Sequence, residues 1–160
     1  MNDAVIIRPA RRHECEALSD LARRSKAVWG YDAVFMRACH DELTVTPVEV
    51  DAGLVFVAEE DGAVLGVHTL EPTDTPGDVH LGLLFVEPGA LRRGIGAALF
   101  RHARAEARRR GWRRLLVQGD PHAEAFYLAM GATRIGDLAS ASIPGRTLPL
   151  FAVRLDTMHP

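Results

Sequence analysis

The stretch from Leu84 to Phe100, LFVEPGALRRGIGAALF, constrains the fold more than any other part of the sequence. It starts as a run rich in β-branched and aromatic residues and passes through Pro88-Gly89. It ends in an alanine-rich pattern with helical spacing, which Gly94 and Gly96 open. A strand that turns through glycines into a helix predicts an α/β protein, in which helices cover a sheet.

The rest of the chain alternates between β-rich and helical patterns. Asp61-Gly62 joins two β-rich runs and predicts a hairpin. The predicted strands cover residues 4–9, both runs of 53–71, 79–88, 113–119, 132–139 and 147–155. The predicted helices cover residues 10–29, 32–43, 94–110 and a short segment that Asp120-Pro121 opens. The order βααβββαβαββ predicts one domain over residues 1–160, a mixed sheet of six to seven strands flanked by about four helices.

Composition narrows the class of protein. With 160 residues, 48% hydrophobic and 25% charged, the chain is typical of a globular enzyme or binding domain. The net charge of −2 argues against a dedicated nucleic-acid binder. The arginine-rich run 108–114 is interpreted as a helix end capped by Gly111, with a site for a ligand phosphate as the alternative.

Neither a membrane span nor a metal site is indicated. No apolar run approaches the roughly 20 residues that a membrane helix needs, and the first residues lack the order of a secretory signal. We therefore expect a cytoplasmic protein with reduced thiols at Cys15 and Cys39. No metal-ligand spacing is found among the histidines, His13, His40 and His159 included.

The glycines of the opening stretch predict an anion site. The first N–H groups of a helix have no acceptor within the helix, and the helix dipole is positive at that end. Gly94 and Gly96 would let an anion approach these amides, and Arg92 and Arg93 would add charge at the rim. A dinucleotide-binding turn fits badly, because its third small residue would fall on Leu99. A phosphate loop fails because no Gly-Lys-Ser/Thr follows.

The chain resembles the GCN5-related N-acetyltransferases (the GNAT family). The similarity rests on LRRGIGA, Leu91 to Ala97, and on DPHAEAFYLAMGATRIG, Asp120 to Gly136. It implies the GNAT fold and acetyl-CoA as co-substrate, with no metal. Two positions depart from the family pattern: Leu91 stands where arginine or glutamine is usual, and Asp120 where many members have asparagine.

The resemblance also implies how acetyl-CoA would be held. The pantetheine arm would pair with the main chain of Leu84 and Val86, and the N–H of Leu84 would hold the thioester oxygen as an oxyanion donor. The amine would then attack directly. The implied cofactor-binding residues are Leu84, Phe85, Val86, Leu91, Arg92, Arg93, Gly94, Ile95, Gly96, Ala97, Asp120 and Tyr127.

Two proton transfers are assigned by the same resemblance. Tyr127 matches the tyrosine that members aim at the departing thiolate, and its alternative is a partly buried helix aromatic. His80 stands where some members carry a catalytic glutamate, and a structural strand-end histidine is the alternative. His68, Glu71 and an ordered water are the other candidate bases.

For the acceptor, the distinctive residues are Trp29, Tyr31 and Arg146. The two aromatics join predicted helices and could wall a pocket or belong to the core. Arg146 could pair an acceptor carboxylate or anchor its loop to an acidic residue. The sequence thus predicts an acetyl-CoA-dependent N-acetyltransferase for a small-molecule primary amine. A protein or peptide amine and a catalytically silent acyl-CoA-binding module are the alternatives, and a homodimer is compatible with the sequence.

Overall fold

The computed structural model describes residues 5–155. Ala4, the first residue of the predicted N-terminal strand, and His159 lie outside the described residues. The chain divides into two compact units. The first unit comprises Met1–Thr69 with Leu83–Phe100, and the second comprises Leu70–Gly82 with Arg101–Pro160. The two units are described in turn.

The described strands form one mixed sheet. They are β1 (Val5–Pro9), β2 (Val55–Glu60), β3 (Ala63–Pro72), β4 (Asp78–Val86), β5 (Arg114–Gln118), β6 (Thr133–Ala139) and β7 (Thr147–Arg154). The strand order is β1-β2-β3-β4-β5-β7-β6. β4 and β5 are parallel, whereas β1–β2, β2–β3, β5–β7 and β6–β7 are antiparallel. This arrangement confirms the predicted mixed sheet.

The described residues form five α-helices, one more than the sequence predicted. They are α1 (Cys15–Ala27), α2 (Ala33–Ala38), α3 (Pro47–Asp51), α4 (Ile95–Arg109) and α5 (Glu124–Ala129). Short 3₁₀ turns precede α1, α4 and α5. Among residues 5–155, no helix has both the length and the apolar character that crossing a membrane requires.

The predicted second helix, 32–43, is shorter than expected. Asp32 caps it as predicted, because its carboxylate accepts the Phe35 N–H at 2.8 Å. The helix ends at Ala38, so Cys39 lies just beyond it and not inside a helix. The missed helix α3 carries a capping box between Thr46 and Glu49 with proline at its first position. That signal was present in the sequence.

In the first unit, the sheet and the start of α4 form one apolar cluster. Its buried members are Val5, Ala58, Val86, Ala90, Ile95 and Leu99, and Leu84 packs against them. The hairpin turn falls at Asp61-Gly62, where both residues have positive φ (51° and 85°). This confirms the prediction, because such a turn needs two left-handed residues.

Gly66 on β3 lets the helix come close to this sheet. A Cβ at that position would stand 2.7 Å from Leu99 Cδ1, 3.1 Å from the Phe85 carbonyl oxygen and 3.4 Å from Ile95 Cγ2. A contact of 2.7 Å is not tolerated in a packed interior, and one of 3.1 Å to a backbone oxygen is already tight. The absent side chain therefore fixes how closely the first turn of α4 packs on β3 and β4.

In the second unit, α4 ends in the cap that the sequence predicted. The Gly111 N–H donates to Arg108 and the Trp112 N–H donates to Ala107, at 3.0 and 3.1 Å. Gly111 has φ +92°, so these bonds form a Schellman motif. β5, β6 and β7 lie within one residue of the predicted bounds.

Candidate active site

The glycine loop leads from β4 into α4 in the first unit. Gly94 has φ +80°, and its carbonyl accepts the Ala98 N–H at 3.0 Å, which makes Gly94 the residue at which the helix begins. Arg92 also has a left-handed backbone, with φ 66°. This conformation is uncommon for a residue with a side chain and often marks a functional loop.

This loop leaves both donors and space for a ligand. The N–H groups of Ile95, Gly96 and Ala97 belong to the first turn of a 15-residue helix and have no acceptor within it. Apart from Gly94 itself and its two neighbours in the chain, no described heavy atom lies within 4 Å of the place where a Cβ on Gly94 would stand. The loop is therefore open at its glycine, as an anion site at a helix N-terminus requires.

The arginines of the loop differ in their surroundings. Arg93 donates to the Glu60 carboxylate at 2.7 Å, so its charge is already balanced by a surface acid. Among residues 5–155, the Arg92 side chain has no hydrogen bond or ion pair. Leu91, at the position where the family usually has a polar residue, is 45% exposed. Of the two predicted rim charges, Arg92 is the one that no carboxylate of residues 5–155 neutralises.

The end of β4 is held by bonds within the first unit. The Leu83 N–H donates to the hydroxyl of the fully buried Thr69 at 2.9 Å. The Glu87 N–H donates to the Leu65 carbonyl at 2.8 Å. Leu84 and Phe85 lie between these two anchors and are partly buried. The predicted oxyanion donor, Leu84, is thus on a well-fixed piece of backbone.

In the second unit, Tyr127 lies on α5 after the predicted cap. Asp120 accepts the His122 N–H at 2.9 Å, which confirms it as the capping residue. Tyr127 is 7% exposed and packs against Phe151, with ring centroids 5.5 Å apart. A Cβ on Gly119 would stand 3.1 Å from the Tyr127 ring, so this glycine allows the ring to pack against the end of β5.

The surroundings of Tyr127 keep its hydroxyl protonated. Burial raises its pKa well above the ordinary value, and the negative charge of Asp120 raises it further. A buried phenol with a raised pKa carries its proton throughout the neutral range. Tyr127 can therefore donate a hydrogen bond or a proton, and it cannot act as a base there.

Asp120 is the centre of a small polar cluster in the second unit. Its carboxylate lies 2.8 Å from His122 Nδ1 and 3.6 Å from an Arg146 guanidinium nitrogen. The side chains of Asp120 and Arg146 are only 11% and 19% exposed. The structure thus brings together three predicted site residues, Asp120, Tyr127 and Arg146. The contact between Arg146 and Asp120 is the one expected if Arg146 anchors its loop to an acidic residue.

The candidate bases lie in unlike environments. His80, in the second unit, is half-buried on β4, and burial lowers its pKa more than the nearby Asp78 raises it. A lowered pKa leaves its imidazole neutral at pH 7, as a base requires. His68, in the first unit, is fully buried and stacks on Phe56 at 5.1 Å. Glu71, in the second unit, is exposed.

The predicted acceptor aromatics lie between α1 and α2. Tyr31 stacks on Phe35 with ring centroids 3.9 Å apart, and Lys26 Nζ lies 5.5 Å from the Tyr31 centroid. Lys26 is only 8% exposed, whereas Trp29 is 43% exposed. Sequence reasoning did not single out Lys26, although it is the only lysine of the chain. Its ammonium adds a cation–π contact to this aromatic group.

Other residues that sequence reasoning missed are the glycines at close contacts. Gly66 and Gly119 make room for Leu99 and Tyr127 respectively. The only signal in the sequence was a glycine within or just after a β-rich run, which also marks bulges and turns. Within residues 5–155, no three His, Cys, Asp or Glu side chains group as a metal site would need.

The class of protein follows from a family match over most of the chain. A family model of the acetyltransferase (GNAT) family matches residues 15–132. The chain therefore belongs to the GNAT family of N-acetyltransferases, which confirms the family and enzyme class that the sequence predicted. No curated protein matches the sequence.

Solved structures with the same fold cover almost the whole chain. A putative acetyltransferase from Salmonella typhimurium, solved with acetyl-CoA, is 21% identical, with TM-score 0.69 and 99% of this chain and 98% of that chain covered. PaiA N-acetyltransferase from Thermoplasma acidophilum, solved with coenzyme A, is 16% identical, with TM-score 0.72 and 94% and 98% covered. A ribosomal-protein-alanine N-acetyltransferase from Brucella melitensis is 24% identical, with TM-score 0.70 and 94% and 99% covered. At these identities the likeness establishes the fold.

Proposed function

We propose that the protein transfers the acetyl group of acetyl-CoA to a primary amine of a small molecule, by direct attack in a ternary complex. The observation that carries this proposal is the open glycine loop at the start of α4, in a chain of the GNAT family. Two structural neighbours were solved with acetyl-CoA or coenzyme A, which supports the choice of co-substrate.

The loop suits the pyrophosphate of coenzyme A. Its amides point out of a helix start, Gly94 leaves open space, and Arg92 adds a charge that no described carboxylate balances. When bound, acetyl-CoA supplies an acetyl group activated as a thioester. The main chain of Leu84, Phe85 and Val86 is proposed to hold the pantetheine arm. The residues proposed for the pyrophosphate are Leu91, Arg92, Arg93, Gly94, Ile95, Gly96 and Ala97.

The protein's own titratable groups would then carry out the two proton transfers of the reaction. Tyr127 is proposed as proton donor to the leaving group, because burial keeps its phenol protonated. His80 is proposed as the base that accepts the proton of the amine, because burial keeps its imidazole neutral. His68, Glu71 and an ordered water remain the alternatives. Asp120 is proposed to act beside Tyr127, through the charge that raises its pKa.

Trp29 and Tyr31 are proposed to contact the acceptor. Trp29 is exposed at the α1–α2 junction, and Tyr31 is fixed there by its stacking on Phe35. For Arg146, the contact with Asp120 supports the loop-anchoring role over pairing with an acceptor carboxylate. The cytoplasmic location and the homodimer stay predictions from the sequence.

The test is a panel of small-molecule amines and short peptides assayed for acetyl-CoA-dependent thiol release. The proposal expects turnover with at least one small-molecule amine and a higher kcat/KM for it than for any peptide. A peptide amine with the higher kcat/KM would favour the protein-acceptor alternative. Binding of acetyl-CoA by calorimetry without turnover of any amine would favour a silent binding module.

Tyr127→Phe tests the enzyme itself. The change removes the hydroxyl and keeps the ring that packs on Phe151, so the fold is retained. We expect kcat to fall about 100-fold, near the low end for general acid catalysis, because a thiolate can leave without full protonation. The dissociation constant of acetyl-CoA, measured by calorimetry, should barely change. A Phe variant with the kcat of the wild type, where chemistry limits the rate, would return Tyr127 to a packing role.

A further inference from the structure

A second group of arginines surrounds a cavity of about 800 Å³ in the second unit. We call it the arginine basin, after its charged lining: Arg104, Arg113, Arg114 and Arg154. Asp78 is the only acidic residue of that lining. None of the lining residues is among those proposed above for the co-substrate, the acceptor or the proton transfers. The basin is therefore a feature that the proposed function leaves unexplained.

The sheet itself assembles part of this charge. On the parallel pair β4–β5, Asp78 stands opposite Arg114, and on the antiparallel pair β5–β7, Arg114 stands opposite Arg154. Two arginines directly across an antiparallel pair repel each other and destabilise it. The register thus places two arginines and one aspartate side by side on three neighbouring strands.

Only one of these guanidinium groups is neutralised by a lining carboxylate. Arg114 Nε and Nη2 donate to the two oxygens of Asp78, at 3.1 and 2.8 Å. This fork holds the pKa of Asp78 below its ordinary value, so the carboxylate stays ionised. The lining therefore holds four arginines and a single aspartate, and Arg114 already binds that aspartate.

Arg113 is fixed through its backbone and not through its side chain. Its N–H donates to the Gly77 carbonyl at 2.8 Å, and its carbonyl accepts the Leu155 N–H at 2.7 Å. Within the described part of the chain, the Arg113 guanidinium makes no hydrogen bond or ion pair. The position of the residue is therefore set, and its charged group is left to bind something else.

Hydrogen bonds also hold the segments next to the basin. The Thr73 hydroxyl lies 3.1 Å from the Thr75 carbonyl and 3.0 Å from the Asp78 carbonyl, and so closes the turn before β4. Arg104 Nη1 donates to the Met130 carbonyl at 3.2 Å, just beyond the end of α5. The backbone segments around the basin are thus held by hydrogen bonds.

We infer that the arginine basin is a second anion site, which binds a small molecule with two or more linked phosphate groups. Guanidinium groups pair with phosphate oxygens in a two-pronged geometry that ammonium groups cannot make. The volume falls within the range of small-molecule pockets, about 300–1,000 Å³, and exceeds what one phosphate would fill. This inference does not depend on the acetyltransferase proposal.

The test is titration of the full-length protein with inorganic pyrophosphate, followed by the NMR signals of the arginine Nε–H groups. Because each signal reports one side chain, binding at the glycine loop is separated from binding at the basin. At 0.15 M salt, we expect the Nε–H signals of Arg113 and Arg154 to shift with pyrophosphate concentration until they saturate. Arg113→Ala should weaken the affinity for pyrophosphate, read from the Arg154 signal, about tenfold or more. The affinity of Arg113→Lys should lie between those of the wild type and the alanine variant.

Arg101→Ala is the matched control, because Arg101 is an exposed arginine of α4 outside the basin. It should change the affinity less than about twofold. Equal effects of the two alanine variants would show general charge attraction and overturn the inference. So would the absence of a saturable shift at Arg113 in the folded protein.

Two further ligands sharpen the assignment. Orthophosphate should bind more weakly than pyrophosphate, because it reaches fewer guanidinium groups. A short single-stranded oligonucleotide that shifts the same signals at lower concentration than pyrophosphate would overturn the small-molecule assignment in favour of nucleic acid.

Discussion

The two ends of α4 carry nearly the same residues, but these residues make different hydrogen bonds at each end. Arg92 and Arg93 precede Gly94 at the start of the helix, and Arg110 precedes Gly111 at its end. Both glycines have positive φ, +80° and +92°. Composition alone would not tell these two turns apart.

The direction of the backbone separates them. At the end of α4, Gly111 and Trp112 donate to the last carbonyls, and Glu106 binds both Arg109 and Arg110. At its start, the first amides have no acceptor within the helix. An arginine-glycine turn therefore closes a helix at the negative end of its dipole and can bind an anion at the positive end.

The largest expected effect comes from a carboxylate placed at the start of the helix. Gly96→Asp should weaken acetyl-CoA binding about 100-fold or more, because juxtaposed like charges cost several kcal/mol. The helix should tolerate the change, since an acidic residue near the N-terminus favours the dipole. The measurement is the shift in melting temperature with acetyl-CoA concentration, which reports binding to the folded state.

Ala105→Asp is the control for that variant. Ala105 is an exposed residue of the same helix, nine positions further along, so the same carboxylate is added away from the loop. It should leave the ligand-induced shift unchanged. A Gly96→Asp protein that folds and keeps the full shift would remove the glycine loop from the co-substrate site.

The next largest effect concerns the close packing of the start of α4 on strands β3 and β4. Gly66→Ala would put a methyl group 2.7 Å from Leu99 Cδ1 and 3.1 Å from the Phe85 carbonyl. The leucine can move its tip, but the carbonyl belongs to β4 and must shift with the strand. We expect a loss of about 2 kcal/mol in the free energy of unfolding, typical of overpacking. Urea denaturation measures it.

Gly136→Ala is the matched strand variant. Gly136 lies within β6, and no described atom is within 4 Å of where its Cβ would stand. Its unfolding free energy should stay within about 0.5 kcal/mol of the wild type. Equal losses in the two variants would mean that strand glycines are costly to replace for another reason than close packing.

Local signals of this kind decided how far the sequence could predict the structure. Asp61-Gly62, the Asp120 cap and the loop before α4 each depend on neighbouring residues, and each was found. The Arg93–Glu60 and Arg146–Asp120 contacts join residues far apart in sequence, and the first pair is separated by 33 positions. Which arginine keeps a free charge depends on those distant partners, so residue type alone could not predict it.

The third prediction compares the two left-handed glycines directly. Gly94→Ala and Gly111→Ala should each cost about 1 kcal/mol of stability, because alanine is strained at positive φ. No described atom lies within 4 Å of either Cβ position, so contacts add nothing to that cost. Only Gly94→Ala should also weaken acetyl-CoA binding, as calorimetry would show. Equal binding losses in both variants would erase the functional difference between the two ends of α4.

The smallest effect is electrostatic and belongs to the end of α4. Hydrogen bonds from Arg109 and Arg110 lower the pKa of Glu106 from 4.5 to about 2. Because the folded-state pKa is the lower one, this stabilisation is complete above pH 4.5 and is lost as the pH falls towards 2. Arg109 is 68% exposed, so solvent screening limits the gain to about 1 kcal/mol or less.

Glu106→Gln should therefore be less stable than the wild type at pH 7 and nearly equal to it at low pH, by urea denaturation at each pH. A difference that stays constant with pH would assign the role of Glu106 to packing, and the end of α4 would then lack the charge pairing that sets it apart from the start.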